Sequence, residues 1–481
     1  MFTFQDLLAC GTDEKKRIAF CENAIEEHKR SDKVKFAKIA HEYDRQLNTT
    51  IVNYQKLLYT MTGEAVPDNF SANHKCASNF FHRFVVEKNQ YLLGNGVAFT
   101  NEKTKKALGG DKFDVVLKQA GRQSLIAGVA YGFFNLDHVE VFKLTEFKAL
   151  EDEEDGGIKA GIRYWQISDD KPLRFTLYEI DGYTDYIKKL NGGTEILKPK
   201  RPYVLNVRVS EADGVELLNG RNYPSFPIVP LYANENHQSL LVGMRENIDC
   251  YDLIKSGFAN DLDDASLIYW TLENAGGMDD VDLVKFVERM KTIKAAVVDG
   301  DNGARAEAHT IEVPSASRES YLTRLEADMY RDAMALNTNA ISGGNITATA
   351  IMAAYDPMDG DANEFEDGVV QFVDGILALA GFTSDEPYTF KRSRVANQME
   401  ETTMVLSAAQ YLDTRTVLKH LPFLASDEID EIMKALVDEE ATRYALNREL
   451  SDESENNANE SDFSEENTDK TGSESESEVE E

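Results

Sequence analysis

Basic residues are scarce in this chain: 51 lysines and arginines stand against 85 aspartates and glutamates, a net charge of −34. Tight nucleic-acid binders neutralise phosphates with a lysine- and arginine-rich surface, and this balance excludes a broad surface of that kind. Residues 451–481 hold thirteen of the acids and one lysine, so the body before them is strongly acidic too. Cysteine is rarer still. The four, Cys10, Cys21, Cys76 and Cys250, form no CxxC pair and lack the dense spacing of a disulfide scaffold, which predicts buried thiols in a reducing compartment. No run approaches the ~20 apolar residues that span a bilayer, and MFTFQDLLACGTDEKK has no basic segment followed by an apolar core. A soluble, intracellular chain with no membrane partner is predicted.

Catalytic and ligand motifs are missing as well. A phosphate cradle needs glycines at fixed spacing, yet neither GxxxxGK[ST] nor GxGxxG occurs, and SGGN at Ser342–Asn345 has no following lysine and reads as a hinge. HExxH and GxSxG are absent. Two runs, DGDNGARAEAHT from Asp299 and DGDANEFEDGVV from Asp359, begin like calcium loops. The first has Gly303 at the third ligand position and Thr310 at the close; the second has Glu364 in place of the central glycine and Val370 at the close. Turns and solvated acid are the expectation for both. Asp249, Asp252, Asp261, Asp263 and Asp264 lie along one predicted helix, where Asp261 is about 18 Å beyond Asp249 by helical rise, too far for one two-metal site. They are expected to form a solvated or channel-lining face. No catalytic residue, metal site or cofactor is predicted.

What is present is apolar content, at 42%, sufficient for two to four compact units. Residues 2–59 read as a peripheral helical arm, with Ser31 and Asp32 as N-caps before Val34, Phe36, Ile39 and Leu47. A helix after Ser71 sets Phe80, Phe81, Phe84, Val85, Tyr91 and Leu92 largely on one face and stops at Gly94; another spans Lys112–Ala130. From Phe133 to Val209 alternation predicts an antiparallel sheet domain. The proline-rich YPSFPIVPLYAN, Tyr223–Asn234, is expected to interrupt regular structure, because each proline removes a donor.

A helix from Ser239 to Leu262 follows, with Leu241, Met244, Ile248, Tyr251, Ile254, Phe258 and Leu262 three or four apart. Residues 267–313 read strand, helix (Val281–Ile293), strand, before a second long helix from Ser317 to Leu336. A helix from Ile346 to Ala380 contains Pro357, which predicts a kink. The strand YTFKR leads to helices Asn397–Tyr411, Thr414–Leu421 and Ser426–Leu446, and the acid-rich remainder has too little hydrophobicity to order. The fold class is α+β.

Four stretches together resemble the SPP1-like portal proteins of long-tailed phages of low-GC Gram-positive bacteria. They are VVEKNQYLLGNGVAF (Val85–Phe99), FPIVPLYANENHQSLLVGMRENIDCYDLIKSGFANDLDDA (Phe226–Ala265, with Ser256, Asn260 and Asp261), GGNITATAIMAAYDPMDGDANEFE (Gly343–Glu366) and the helical C-terminus. The resemblance covers most of residues 50–447. It implies an N-terminal helical arm and wing over 1–238, a first stem helix over 239–266 and a small α/β clip over 267–314. The second stem helix would span 315–337, the tunnel loop, kinked tunnel helix and return to the wing 338–395, and a helical crown 396–447, before a disordered acidic tail at 448–481.

Further implied are a homo-dodecameric ring at the capsid vertex of a virion assembled in the host bacterial cytoplasm, and double-stranded DNA conducted without sequence preference. The implied partners are the terminase large subunit, scaffold and major capsid proteins, and a head-completion or adaptor protein. On this reading Asn345, Thr347 and Thr349 lie at the DNA channel, and the face from Leu241 to Leu262 contacts the neighbouring subunit. The residues by themselves leave open a magnesium-dependent nuclease using Asp249 and Asp252, or an acidic interaction protein that never closes into a ring.

Overall fold

Capped helix starts organise the N-terminus of the computed structural model, which describes residues 1–60, 62–69, 71–210, 214–265, 269–273, 284–285, 305–309, 313–337, 348–382 and 387–393, with 402, 405–421, 424, 429, 431–439 and 441–443 beyond them. Thr3 and Asp6 form a capping box at α1 (Phe4–Ala9), Asp13 caps α2 (Glu14–Arg30), and Ser31 caps α3 (Asp32–Asp44). After α4 (Thr49–Val52) comes a hairpin of β1 (Leu57–Tyr59) and β2 (Ala65–Pro67). Helix α5 (Phe80–Leu93) ends at Gly94, and β3 (Val97–Phe99), α6 (Glu102–Ala107) and α7 (Asp111–Ala127) follow. Gly128, left-handed at φ 90°, stops α7 short of the predicted Ala130 and turns the chain straight into β4 (Val129–Asn135).

Strand β4 forms a hairpin with β5 (His138–Lys143). Five strands then run as an antiparallel meander: β6 (Phe147–Glu151), β7 (Ile158–Trp165), β8 (Leu173–Glu179), β9 (Gly182–Lys188) and β10 (Thr194–Arg201). The predicted sheet continues past Val209, because β11 (Val204–Ser210) pairs with β12 (Gly214–Arg221). The proline-rich stretch is not irregular as expected: Ile228–Tyr232 is β13, paired with β4 through Pro230 opposite Tyr131. It sits at the edge of the sheet order β13-β4-β5, where a missing proline donor deprives no further strand.

Helix α8 (Arg245–Ala265) begins six residues later than predicted, after turns over 240–244. β14 (Tyr269–Glu273) pairs antiparallel with β15 (Arg305–His309); the expected helix between them lies outside the described residues except for 284–285, which are helical. Then come α9 (Ser315–Asp332), α10 (Ala348–Leu379), continuous through Pro357, and β16 (Tyr388–Phe390), which returns to pair with β3. Contacts divide the chain into Met1–Ser393 and Arg394–Glu481. In the second unit α11 (Thr414–His420) is capped by Asp413, and 405–408, 431–439 and 441–443 are helical. The predicted tail at 448–481 lies outside the described residues.

Apolar faces assemble the first unit around a core in which Phe81, Phe84 and Leu92 of α5, Phe113 and Leu117 of α7, and Phe365, Phe372 and Ile376 of α10 are all buried. Gly132 of β4 makes the approach of α10 possible, since a Cβ there would strike the Phe372 ring. The N-terminal helices are not a peripheral arm: Leu7, Phe20, Cys21 and Ile25 share a buried core with Leu150, Ile162, Phe175 and Leu177 of the meander. Burying each such side chain contributes about 1.5–3 kcal/mol, which ties this segment firmly to the sheet.

Candidate subunit-contact helix and its polar face

Helix α8 carries two sets of side chains with opposite destinations. At its entry Leu241, Met244 and Ile248 are 0%, 5% and 0% exposed, inside the subunit's own core. The expectation that the whole face from Leu241 to Leu262 meets a neighbour is therefore corrected for these three, whose surfaces are already covered. Tyr251 packs edge-on against Phe80 at 5.1 Å between ring centroids, in an aromatic group with Phe84 and Tyr330 of α9 that joins α5, α8 and α9. The Arg318 guanidinium lies over the Phe258 ring at 5.9 Å. Ile254 is half-buried and Leu262 is 52% exposed, so only this distal part of the face retains apolar surface.

The other face grips an extended strap, residues 74–78. The Asn260 Oδ1 accepts the His74 N–H at 2.7 Å, the Ser256 Oγ accepts the Cys76 N–H at 2.9 Å, and the Asp252 Oδ1 accepts the Ser78 N–H at 2.8 Å. Each step advances two residues in the strap and four in the helix. Two extended residues rise about 6.6 Å and four helical residues about 6.0 Å, so the two periods stay in register over three bonds. Among the described residues the strap has no strand partner, and these helical side chains satisfy backbone donors that a sheet would otherwise pair. At the helix end Asp263 meets the His74 Nε2 at 2.5 Å.

Asp252 also accepts from the Asn48 Nδ2 at 2.5 Å, while the same amide donates to the Ser78 carbonyl at 3.0 Å. Burial, partly offset by the bonds from Asn48 and Ser78, raises the Asp252 carboxyl above the ordinary aspartate range. Asp249 accepts from the Thr50 Oγ1 at 2.7 Å and from the Tyr43 hydroxyl, and Asp261 pairs with Arg318. The expected solvated or channel-lining acidic face is thus overturned for Asp252, which is fully buried. A nuclease metal pair on Asp249 and Asp252 loses its basis too, because both carboxylates already hold donors of the fold, Asp249 with Arg245 at 3.7 Å besides Thr50 and Tyr43.

The calcium-like run from Asp359 sits inside α10, not in a turn. Arg392 donates to the Asp359 Oδ1 at 2.7 Å and the Glu366 Oε2 at 2.8 Å, Tyr91 donates to Asp359 at 2.6 Å, and Lys88 pairs with Asp361 at 2.6 Å. Cations and a phenol occupy the places a metal would take. Among the described residues no group of three or more His, Cys, Asp or Glu is placed to hold a metal ion, and no helix is long and apolar enough to cross a membrane. The run from Asp299 falls mostly outside the described residues, as do Asn345 and Thr347; Thr349 lies in the first turn of α10.

Sequence reasoning missed the strap, Asn48 and Arg392. One signal was available: Asp252, Ser256 and Asn260 repeat every four residues as a polar stripe, and each is at most 5% exposed.

The family model described as "Phage portal protein, SPP1 Gp6-like" matches residues 23–442, and the chain belongs to that family. A portal protein of Clostridium phage phiCD119 is 25% identical over 400 residues, covering 77% of this chain and 85% of its own. The portal protein of Bacillus phage SPP1 is 25% identical over 421 residues, 81% of each chain. Among solved structures, a chain from the neck of an empty GTA particle matches 73% of this chain and 91% of its own at 11% identity, with a TM-score of 0.40.

Proposed function

We propose that this chain is the portal, or head-to-tail connector, of a tailed phage: a closed dodecameric ring at one capsid vertex through which double-stranded DNA enters and leaves. The family match over residues 23–442 carries this reading. One subunit encloses nothing, so a channel requires a ring with heterologous contacts, the same two different surfaces meeting at every interface. The distal α8 residues Ile254, Phe258 and Leu262 are the part of the stem face with apolar surface left for a neighbour, and each side chain buried there would contribute about 1.5–3 kcal/mol.

A net charge of −34 suits conduction, because DNA that must slide both ways stalls on a surface that attracts phosphates. Asn345, Thr347 and Thr349 would present short polar groups to the backbone at the narrowest point. The chain catalyses nothing in this scheme; energy for packaging comes from the terminase, whose large subunit docks on the clip over 267–314. Scaffold, major capsid protein and a head-completion adaptor are the other partners in the virion.

Native mass spectrometry with negative-stain imaging of the purified 53.9 kDa chain tests the reading. A closed twelvefold ring around a hole is expected. A chain that stays monomeric even when scaffold protein is supplied would overturn it.

A further inference from the structure

We infer that the hairpin of β1 (Leu57–Tyr59) and β2 (Ala65–Pro67) is an arm by which each subunit grips a second copy of this chain; the inference rests on the ring proposed above. All six strand residues are exposed, Leu57, Leu58, Tyr59 and Val66 by 47%, 45%, 74% and 40%. In a two-stranded ribbon alternate side chains point to opposite faces, so both faces are apolar. An isolated two-stranded hairpin is marginal at best in water, and among the described residues this one has no third strand.

Its base, by contrast, is fixed. Asn48 and Ser78, 1% and 8% exposed, join the two ends of the loop, and the Asp68 N–H donates to the Lys56 carbonyl at 2.8 Å. Lys56 and Lys75 reach the carbonyls of Ala72 and Val52 at 3.1 and 2.5 Å. Strap and helix α8 therefore hold a bare apolar ribbon out from the body at a set place. That is the construction of an arm with a partner.

Charge identifies the partner. Two copies at −34 each repel, so contacts between them fall to surfaces poor in acid, whereas a basic partner would select acidic surface. None of the six strand residues is charged; Glu64 is the one acid between the strands, and Lys56 stands at the base of the hairpin. A ribbon whose paired strands are uncharged and apolar, on an acidic chain, fits a second identical chain. Its edges, with unpaired backbone donors and acceptors, can add to a strand of the neighbour as well as cover apolar side chains.

The experiment uses the full chain. Leu58→Asp/Tyr59→Asp is compared by native mass spectrometry with wild type and with Ile167→Asp, which places the same charge at a solitary apolar residue 85% exposed. The double variant is expected to melt with the wild-type body and to need more than about tenfold higher subunit concentration to close, while Ile167→Asp closes normally. A photo-crosslinking residue at position 59 should join two chains, not two parts of one. Rings that form equally well in the double variant, an equal loss in Ile167→Asp, or purely intrachain crosslinks would overturn the inference and leave the portal reading standing. A wild-type chain that never closes would instead remove the portal reading itself.

Discussion

The Asp252 carboxylate accepts the Ser78 backbone N–H at 2.8 Å across 174 residues of sequence, with neither side chain exposed beyond 8%. This bond, with the parallel ones at Ser256 and Asn260, fixes the strap against α8 and so the root of the β1–β2 arm. Sequence determines it only through a four-residue stripe on the helix.

Asp252→Ala leaves the Ser78 N–H and the Asn48 amide unpaired in a dry site and is expected to destabilise the first unit by about 3 kcal/mol, measured by urea unfolding. Asp252→Asn retains an acceptor and should cost less. Because burial raises this carboxyl in the folded state, the folded chain holds the proton more tightly than the unfolded chain. The resulting stabilisation is present in acid and fades as pH rises through the raised value. That component should vanish in Asp252→Asn; an unchanged pH profile would mean another group is responsible.

Arg392 closes the chain's return to α10 through Asp359 and Glu366. Arg392→Ala leaves those acids without their cation and is expected to cost about 2 kcal/mol. Arg392→Lys should recover little, since one ammonium cannot span both carboxylates as a planar fork does. A double-mutant cycle with Glu366→Gln measures the coupling; additive effects would show that the pair is incidental.

Periodicity exposed α5, α7, α8, α9 and α10 because each buries one stripe, and alternation exposed the sheet region from Phe133 to Val209 as a whole, most plainly in β9, where buried and half-buried residues alternate. It failed where the third dimension decides. β13 was hidden by Pro230, whose edge position no local pattern reveals. The fate of Leu241, Met244 and Ile248 was misjudged because an apolar stripe is the same in sequence whether its cover is its own core or another subunit. The acids of α8 and α10 looked solvated since Asn48, Ser78, Tyr91 and Arg392 are brought to them from other segments.

Burial pulls His28 down to about 3 and His41 to about 4, with Lys148 near His28 and Lys143 near His41 adding to the effect. Both are neutral in the folded state at values where the unfolded chain, titrating near 6.5, is charged. Stability from these groups is whole above about pH 6.5 and is lost as pH falls toward the folded values, at up to about 1.4 kcal/mol per pH unit for His28. His28→Gln, which can still bond the Tyr164 hydroxyl, should flatten the acid limb of a urea-stability series between pH 7 and 4.5. An identical limb in the variant would place acid sensitivity elsewhere.

The proposed tunnel residues allow a test of sign as well as of contact. If Asn345, Thr347 and Thr349 touch the DNA backbone with neutral hydrogen bonds, each alanine variant removes about 1 kcal/mol of interaction per subunit, and packaging or ejection rates in assembled particles should change severalfold. Thr347→Lys asks more. It would set a ring of cations at the constriction of the proposed channel, convert sliding into capture, and slow ejection in a way that added salt relieves, because counterions compete for the phosphates. Ejection from Thr347→Lys particles that matches wild type at every salt concentration would move these residues away from the DNA path.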